Sequence, residues 1–101
     1  MIRLSLIIPT HNRAGQLLAA LESVVRQDMP AGEWECVVVN NNSTDDTPAR
    51  FAAFAARYPA LNLRMVTETG PGVSYARNRG IAETSAPYMA CLLYTSDAAD
   101  E

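Results

Sequence analysis

Three short polar stretches hold most of the groups in this sequence that could do chemistry. They are "PTHNR" (residues 9–13), "NNNSTDD" (residues 40–46) and "TETGPGVS" (residues 67–74), and each follows an apolar run. Amide side chains both donate and accept hydrogen bonds, and arginine is the better fork for phosphate. No core needs that much polarity in one place, and a plain turn would use fewer residues. Each residue alone also has a plain reading. Asn12, Ser43 and Asp45 can cap helices and close turns, and His11 can be a surface loop residue. The glycines can form simple turns, and Arg77 and Arg79 can be a solvated helix face. A dinucleotide fingerprint is absent, because "TGPGVS" does not supply G-x-G-x-x-G. The functional reading therefore depends on whether the three stretches share one place.

Hydrophobic periodicity indicates that they do. "RLSLIIP" and "ECVVVN" read as strands buried on both faces, since apolar residues run on without alternation. Leu17, Leu18, Leu21, Val24 and Val25 recur at helical spacing, with Asn12 expected as the N-cap. Thr47-Pro48 reads as the cap and first turn of a second helix, with Phe51, Phe54, Ala55 and Tyr58 as its apolar face. "LNLRMV" follows as a third strand. A third helix is expected from Ser74 to about Thr84, with small Ala76 and Gly80 one turn apart where it could pack closely on a sheet. "PYMACLL" reads as a fourth strand. The order β-α-β-α-β-α-β predicts an open, mostly parallel, Rossmann-like sheet with helices on both faces. Ligands of such sheets bind beyond the carboxyl ends of the strands, and all three polar stretches fall at that edge.

Composition sets the outer limits. At 101 residues, 49% hydrophobic and 19% charged, the chain is expected to be one small globular domain or part of a larger one. The net charge of −3 argues against a nucleic-acid partner. All eight basic residues are arginine. Cys36 and Cys91 sit in apolar runs and are expected to be small buried hydrophobes, neither a disulfide framework nor a metal cluster. The apolar runs are strand-sized, and Pro9 with the polar residues after it interrupts the first one. No membrane span or signal peptide is expected, which suggests a cytoplasmic chain or the cytoplasmic part of a longer one.

"SLIIPTHNRAGQLLAALESVVRQ", "VVVNNNSTDDT" and "GVSYARNRGIAET" closely resemble, in order and in register from about Leu4 to Ala90, the inverting family-2 glycosyltransferases. The resemblance is to their N-terminal, nucleotide-sugar-binding half, and it implies the GT-A fold, truncated here after the fourth strand. It implies a nucleotide-diphospho-sugar donor, UDP-sugar first, for hexosyl transfer to a glycan, lipid or protein acceptor. It also implies roles. Thr10 and His11 match positions that border the base and ribose, and Pro9, Asn12 and Arg13 are expected to bind the nucleotide-sugar beside them. Asn40 stands where the family usually has an aspartate reading base or ribose, with Asn42 beside it. Asp45 matches an acid that orders the loop, and Arg77 matches an arginine near the nucleotide.

The match then breaks. After the fourth strand such enzymes read something like "FLDDD", whose acids hold a divalent cation, Mg or Mn. Here Cys91, Leu92, Leu93, Tyr94 and Thr95 occupy that stretch, with Asp97 and Asp100 beyond it. The ligand motif is missing, and so is the half that carries the acceptor site. Residues 1–92 are expected to be the donor-binding half and residues 93–101 a non-native tail, so that the 101-residue chain alone transfers no sugar. A non-catalytic nucleotide-binding module or a nucleotidyltransferase-like domain is the other reading.

Overall fold

The computed structural model describes residues 2–26 and 28–92. Four strands, β1 (Leu4–Thr10), β2 (Trp34–Asn40), β3 (Leu63–Thr67) and β4 (Tyr88–Cys91), form one sheet in the order β3-β2-β1-β4. All three pairings are parallel, so every strand carboxyl end lies on one edge. The central pair is the valine- and isoleucine-rich one, since only residues tolerant of burial on both faces can occupy the middle of a covered sheet.

Strand alternation divides the core in two. Leu6, Ile8, Trp34, Cys36 and Val38 face the helices α1 (Ala14–Val25) and α2 (Thr47–Ala56), which contribute Leu17, Leu21, Val24, Phe51 and Phe54. Ile7, Val37 and Val39 face the third helix, α3 (Val73–Ala82), and meet Ala76. A short 3-10 turn, Ala31–Glu33, leads into β2. The two-sided α/β arrangement expected from periodicity is present, with element ends shifted by at most two residues. Pro48 lies in the first turn of α2, but Thr47 is already helical and Asp46 is the capping position.

α3 approaches the sheet closely because its inner face is small. Ala76 is fully buried. A Cβ at Gly80 would collide with the Ile7 Cγ2 methyl and reach the Val39 Cγ2 methyl at 3.3 Å.

Polar groups on this same face are paired. Ser5, fully buried on β1, donates to Glu35 Oε2 at 2.6 Å, as does the Thr84 hydroxyl. Arg64 adds a contact of 3.6 Å to Glu35 and one of 3.1 Å to Glu83. Burial would push the Glu35 carboxyl up, but the Ser5 and Thr84 hydroxyls and the Arg64 guanidinium outweigh it and hold the group below its ordinary 4.5. At Cys36, burial and the neighbouring Glu35 charge push the thiol up to about 12, so it acts as a hydrophobe.

Two expectations are corrected. Cys91 is exposed, as is Met89. Both lie on the α3 side of β4 by register with Ile7 and Ser5, while α3 packs mainly over β1 and β2. Asn12 does not cap α1 either. Arg13 holds the capping position without a side-chain bond, and Asn12 turns away with φ 51°. Leu93, and with it the end of the expected fourth strand, lies outside the described residues.

Gly80→Ala should destabilise the fold by about 1–3 kcal/mol from overpacking against Ile7, although alanine is the better helix former by roughly 1 kcal/mol. Gly15→Ala, at a helical position with no neighbour within 4 Å, should be neutral or stabilising by about 0.5 kcal/mol. Urea unfolding of the two variants checks the contrast. A second outcome concerns acid. The folded pKa of Glu35 lies below its unfolded value, so its stabilisation is fully present above 4.5 and is lost as pH falls through the lower folded value. Glu35→Gln should flatten the acid limb of a plot of urea midpoint against pH.

Candidate functional site

Parallel register brings the polar stretches side by side. Thr10 at the end of β1 pairs with Asn40 at the end of β2, and Asn40 pairs with Thr67 at the end of β3. The chain leaves all three strands at one level and in one direction. Most of the polarity that follows is spent on joining these loops to one another.

The loop after β1 is stitched to the loop after β2. The Asn12 side-chain oxygen accepts the backbone N–H groups of Thr44 at 2.7 Å and Asp45 at 3.1 Å. In return the Asn12 N–H donates to the Ser43 hydroxyl at 3.0 Å. Asn12 and Asn42 both have positive φ, 51° and 62°, a conformation that asparagine tolerates better than most residues. Asp45 closes the far end of the loop, accepting the Thr47 N–H at 3.0 Å. The Thr47 hydroxyl is the main reason that its carboxyl lies below the usual range, and the Ala14 N–H at the start of α1 adds to it. Asp45 therefore fastens its loop to the first turn of α2.

His11 has a defined tautomer in its neutral form. Its Nδ1 lies 2.6 Å from the Asn41 carbonyl oxygen, which can only accept, so Nδ1 carries the proton. Nε2 is then the acceptor on the exposed side of the ring, with the Asn12 amide nitrogen at 3.4 Å.

The third loop is held by Asn41 and Glu68. The Asn41 amide nitrogen donates to the carbonyl oxygens of Glu68 at 3.0 Å and Gly70 at 2.7 Å, and its oxygen accepts the Gly72 N–H at 3.3 Å. Glu68 Oε2 accepts the Gly70 N–H at 2.7 Å, and Asn42 donates to the Thr69 carbonyl at 3.1 Å. Gly72, with φ 105°, turns the chain into α3 in a conformation that side chains disfavour. Arg79 completes the anchorage. It donates to the Thr67 carbonyl at 2.9 Å and to Glu83 at 2.8 Å, and it lies 3.7 Å from Glu68. Arg79 is therefore tied to the loop before its helix, although its side chain stays 39% exposed.

The structure brings Pro9, Thr10, His11, Asn12, Arg13, Asn40, Asn42 and Asp45 to adjoining positions on the carboxyl edge. His11, Asn12, Arg13 and Asn42 are exposed there, whereas Thr10 and Asn40 are buried beneath them. Asn40 Oδ1 accepts the Ser43 N–H at 3.1 Å, and its amide nitrogen has no acceptor among the described residues. Arg77 lies in the second turn of α3, half-buried, with no hydrogen bond or ion pair among the described residues. Its charge reaches the Cys91 thiol at the end of β4, where it only partly offsets the upward push of burial. Asn41 and Glu68 do not stand out in the sequence. The available signal was three consecutive asparagines at a strand end, since successive side chains cannot all face the same way.

The described residues do not fit a divalent cation. They contain no group of three potential ligands from His, Cys, Asp and Glu, and Asp45 and Glu68 are engaged with Thr47 and Gly70. Cys91 and Leu92 end the described part of β4 and its exit, and neither suits a hard cation. Leu93, Tyr94, Thr95, Asp97 and Asp100 lie outside the described residues. Among the described residues no helix is long and apolar enough to cross a membrane.

Residues 5–92 match the family described as glycosyl transferase family 2. The chain belongs to this family. It is 33% identical over 99 residues to the glycosyltransferase YibD of Escherichia coli (strain K12), covering 98% of this chain and 26% of YibD. Among solved structures, the mannosyltransferase PcManGT of Pyrobaculum calidifontis, in complex with GDP-Man and Mn²⁺, superposes with a TM-score of 0.77 at 34% identity. The match covers 82% of this chain and 24% of PcManGT. TarS of S. aureus in complex with UDP-GlcNAc gives a TM-score of 0.74 at 28% identity, covering 98% of this chain and 30% of TarS. The sheet is thus of the GT-A type, and the family-2 chain spans roughly a quarter of the length of such relatives, 26% for YibD. YibD is named as a glycosyltransferase and PcManGT as a mannosyltransferase.

Proposed function

We propose that the carboxyl edge of this family-2 sheet binds the nucleoside diphosphate of a nucleotide-sugar donor, UDP-sugar first, for hexosyl transfer to an acceptor hydroxyl. The observation that carries this reading is the union of three polar loops on one edge, held by side chains that leave His11, Arg13 and Arg77 available to a ligand. Support comes from two solved relatives with similar sheets, one described with GDP-Man and the other with UDP-GlcNAc.

In this reading Pro9 and Thr10 set the floor of the base and ribose site, and the His11 ring stacks or accepts a hydroxyl at Nε2. Asn12, Asn42 and Asp45 hold the surrounding backbone in shape. Asn40 offers an amide donor where a carboxylate could offer none. Arg13 and Arg77 supply positive charge, and Arg77 is the one assigned to the phosphates or base oxygens. A divalent cation belongs to the complete enzyme, and no described residue is assigned to it. Residues 1–92 act as the donor-binding half.

Titration with UDP and with NAD, followed through backbone amide shifts, tests the assignment. UDP should move residues 9–13, 40–46 and 70–78, and a larger response to NAD would overturn the reading. Arg77→Ala should weaken UDP binding by about 1–3 kcal/mol, the usual scale for a hydrogen bond to a charged group. Arg79→Ala should weaken binding less and lower stability more, because Arg79 is committed to Thr67, Glu68 and Glu83. Equal losses of affinity from the two variants would count against the role given to Arg77.

A further inference from the structure

Asn41 touches all three loops of the candidate site. Its backbone N–H donates to the Thr10 carbonyl at 2.8 Å, and its carbonyl receives the His11 Nδ1–H at 2.6 Å. Its side chain reaches the third loop at Glu68, Gly70 and Gly72. The residue is only 8% exposed, so these groups have little water to replace their partners.

The chemistry of the partners determines what the side chain must be. Two of them, the Glu68 and Gly70 carbonyl oxygens, can only accept. A group with two N–H donors must therefore face them, and it must also present an oxygen to the Gly72 N–H. An amide of this length meets that pattern with its nitrogen toward the carbonyls, an orientation that follows from the partners themselves. A carboxylate of nearly identical shape would set a negative oxygen against two carbonyl oxygens in a site shielded from water. That arrangement is repulsive, and removing its donors leaves both acceptors unmet.

We infer that Asn41 is the positioning residue of the nucleotide site: its uncharged amide clasps the β3–α3 loop to the β2 loop, while its backbone holds the β1 loop, and together they set the spacing of the three loops that the donor meets. The inference rests on the nucleotide-binding reading above and adds to it a requirement for an amide at one position. Asn41 acts through His11, whose ring it aims, and through Gly70 and Gly72, whose backbone leads into the helix that carries Arg77. It has no role in contacting the ligand. The clasp differs from that of Asn40, whose one bond to the Ser43 N–H a carboxylate would preserve.

The test compares Asn41→Asp and Asn41→Ala with the wild-type chain, with UDP as the probe, by isothermal titration at temperatures where every protein is folded. At neutral pH both variants should lose roughly tenfold or more in UDP affinity, the scale expected when a buried acceptor loses its donor. Below about pH 5, protonation of the introduced carboxyl returns one donor. The deficit of Asn41→Asp relative to wild type should then shrink, while that of Asn41→Ala should stay constant. A residue that served stability alone would lower the unfolding temperature of both variants without changing the UDP affinity of the folded molecules, and that result would overturn the inference. Hydrogen exchange at the Gly70 and Gly72 amides without ligand provides a separate measure. The Gly72 N–H is the amide that the Asn41 oxygen accepts, whereas that of Gly70 is held by Glu68, so Gly72 decides: faster exchange there in Asn41→Ala supports the clasp, and unchanged exchange overturns it. If the wild-type chain fails to bind UDP, the nucleotide reading falls, and amide exchange alone decides whether the clasp exists.

Discussion

Everything at the site depends on the parallel register of the two central strands. Thr10 pairs with Asn40, and the pairing continues to Thr67, so three chain segments leave the sheet at one level. Parallel strands require crossovers, and each crossover helix starts at that edge. The loops between strand ends and helix starts are therefore crowded together by the hydrogen-bond ladder itself. A shift of one residue in β2 would turn its valines away from their helices and move the asparagines out of reach of their partners.

Crowding of this kind has a cost, because backbone groups in packed loops still need partners. The polar residues after each strand meet much of that need. Asn12 satisfies two N–H groups of its neighbouring loop, Asn41 satisfies two carbonyls and one N–H, and Glu68 satisfies another N–H. The site is thus built largely by side chains that hold backbone. Preorganisation of this sort lowers the ordering penalty of binding, since the loops are already in place when a ligand arrives.

α3 is fixed from both directions. On its sheet side, Ala76 and Gly80 let it settle against Ile7 and Val39. Along its flank, Glu35, Arg64, Glu83, Arg79 and Glu68 form a line of alternating charge from the amino edge of the sheet to the loop before the helix. Exposed ion pairs contribute little individually, but a connected series restricts how far a helix can slide. Arg77 is carried by this helix, so its position depends on contacts made elsewhere along it.

Residue order was enough for much of this. Short unbroken valine and isoleucine runs, β-branched and closed by polar turn residues, read as buried strands, helical spacing of Leu17, Leu21 and Val24 buries one face, and alternation of the two implies a parallel sheet. The edge that holds the polar loops follows from that topology, as does the small inner face of α3. Motif resemblance added the family, which the relatives bear out. Partner choice was not available from the same information. Asn12 and Asn41 look alike in the chain, yet one clasps the loop after β2 and the other the loop after β3, and neither caps a helix. Cys36 and Cys91 sit in similar apolar runs, yet one is sealed at the centre of the sheet and the other is exposed on an edge strand. Ser5 and Glu35 fall in apolar runs and are accommodated only because Thr84 and Arg64 arrive from distant positions. Periodicity reports the face that a side chain occupies. The group it meets there depends on how segments far apart in sequence are brought together, and only the folded sheet establishes that.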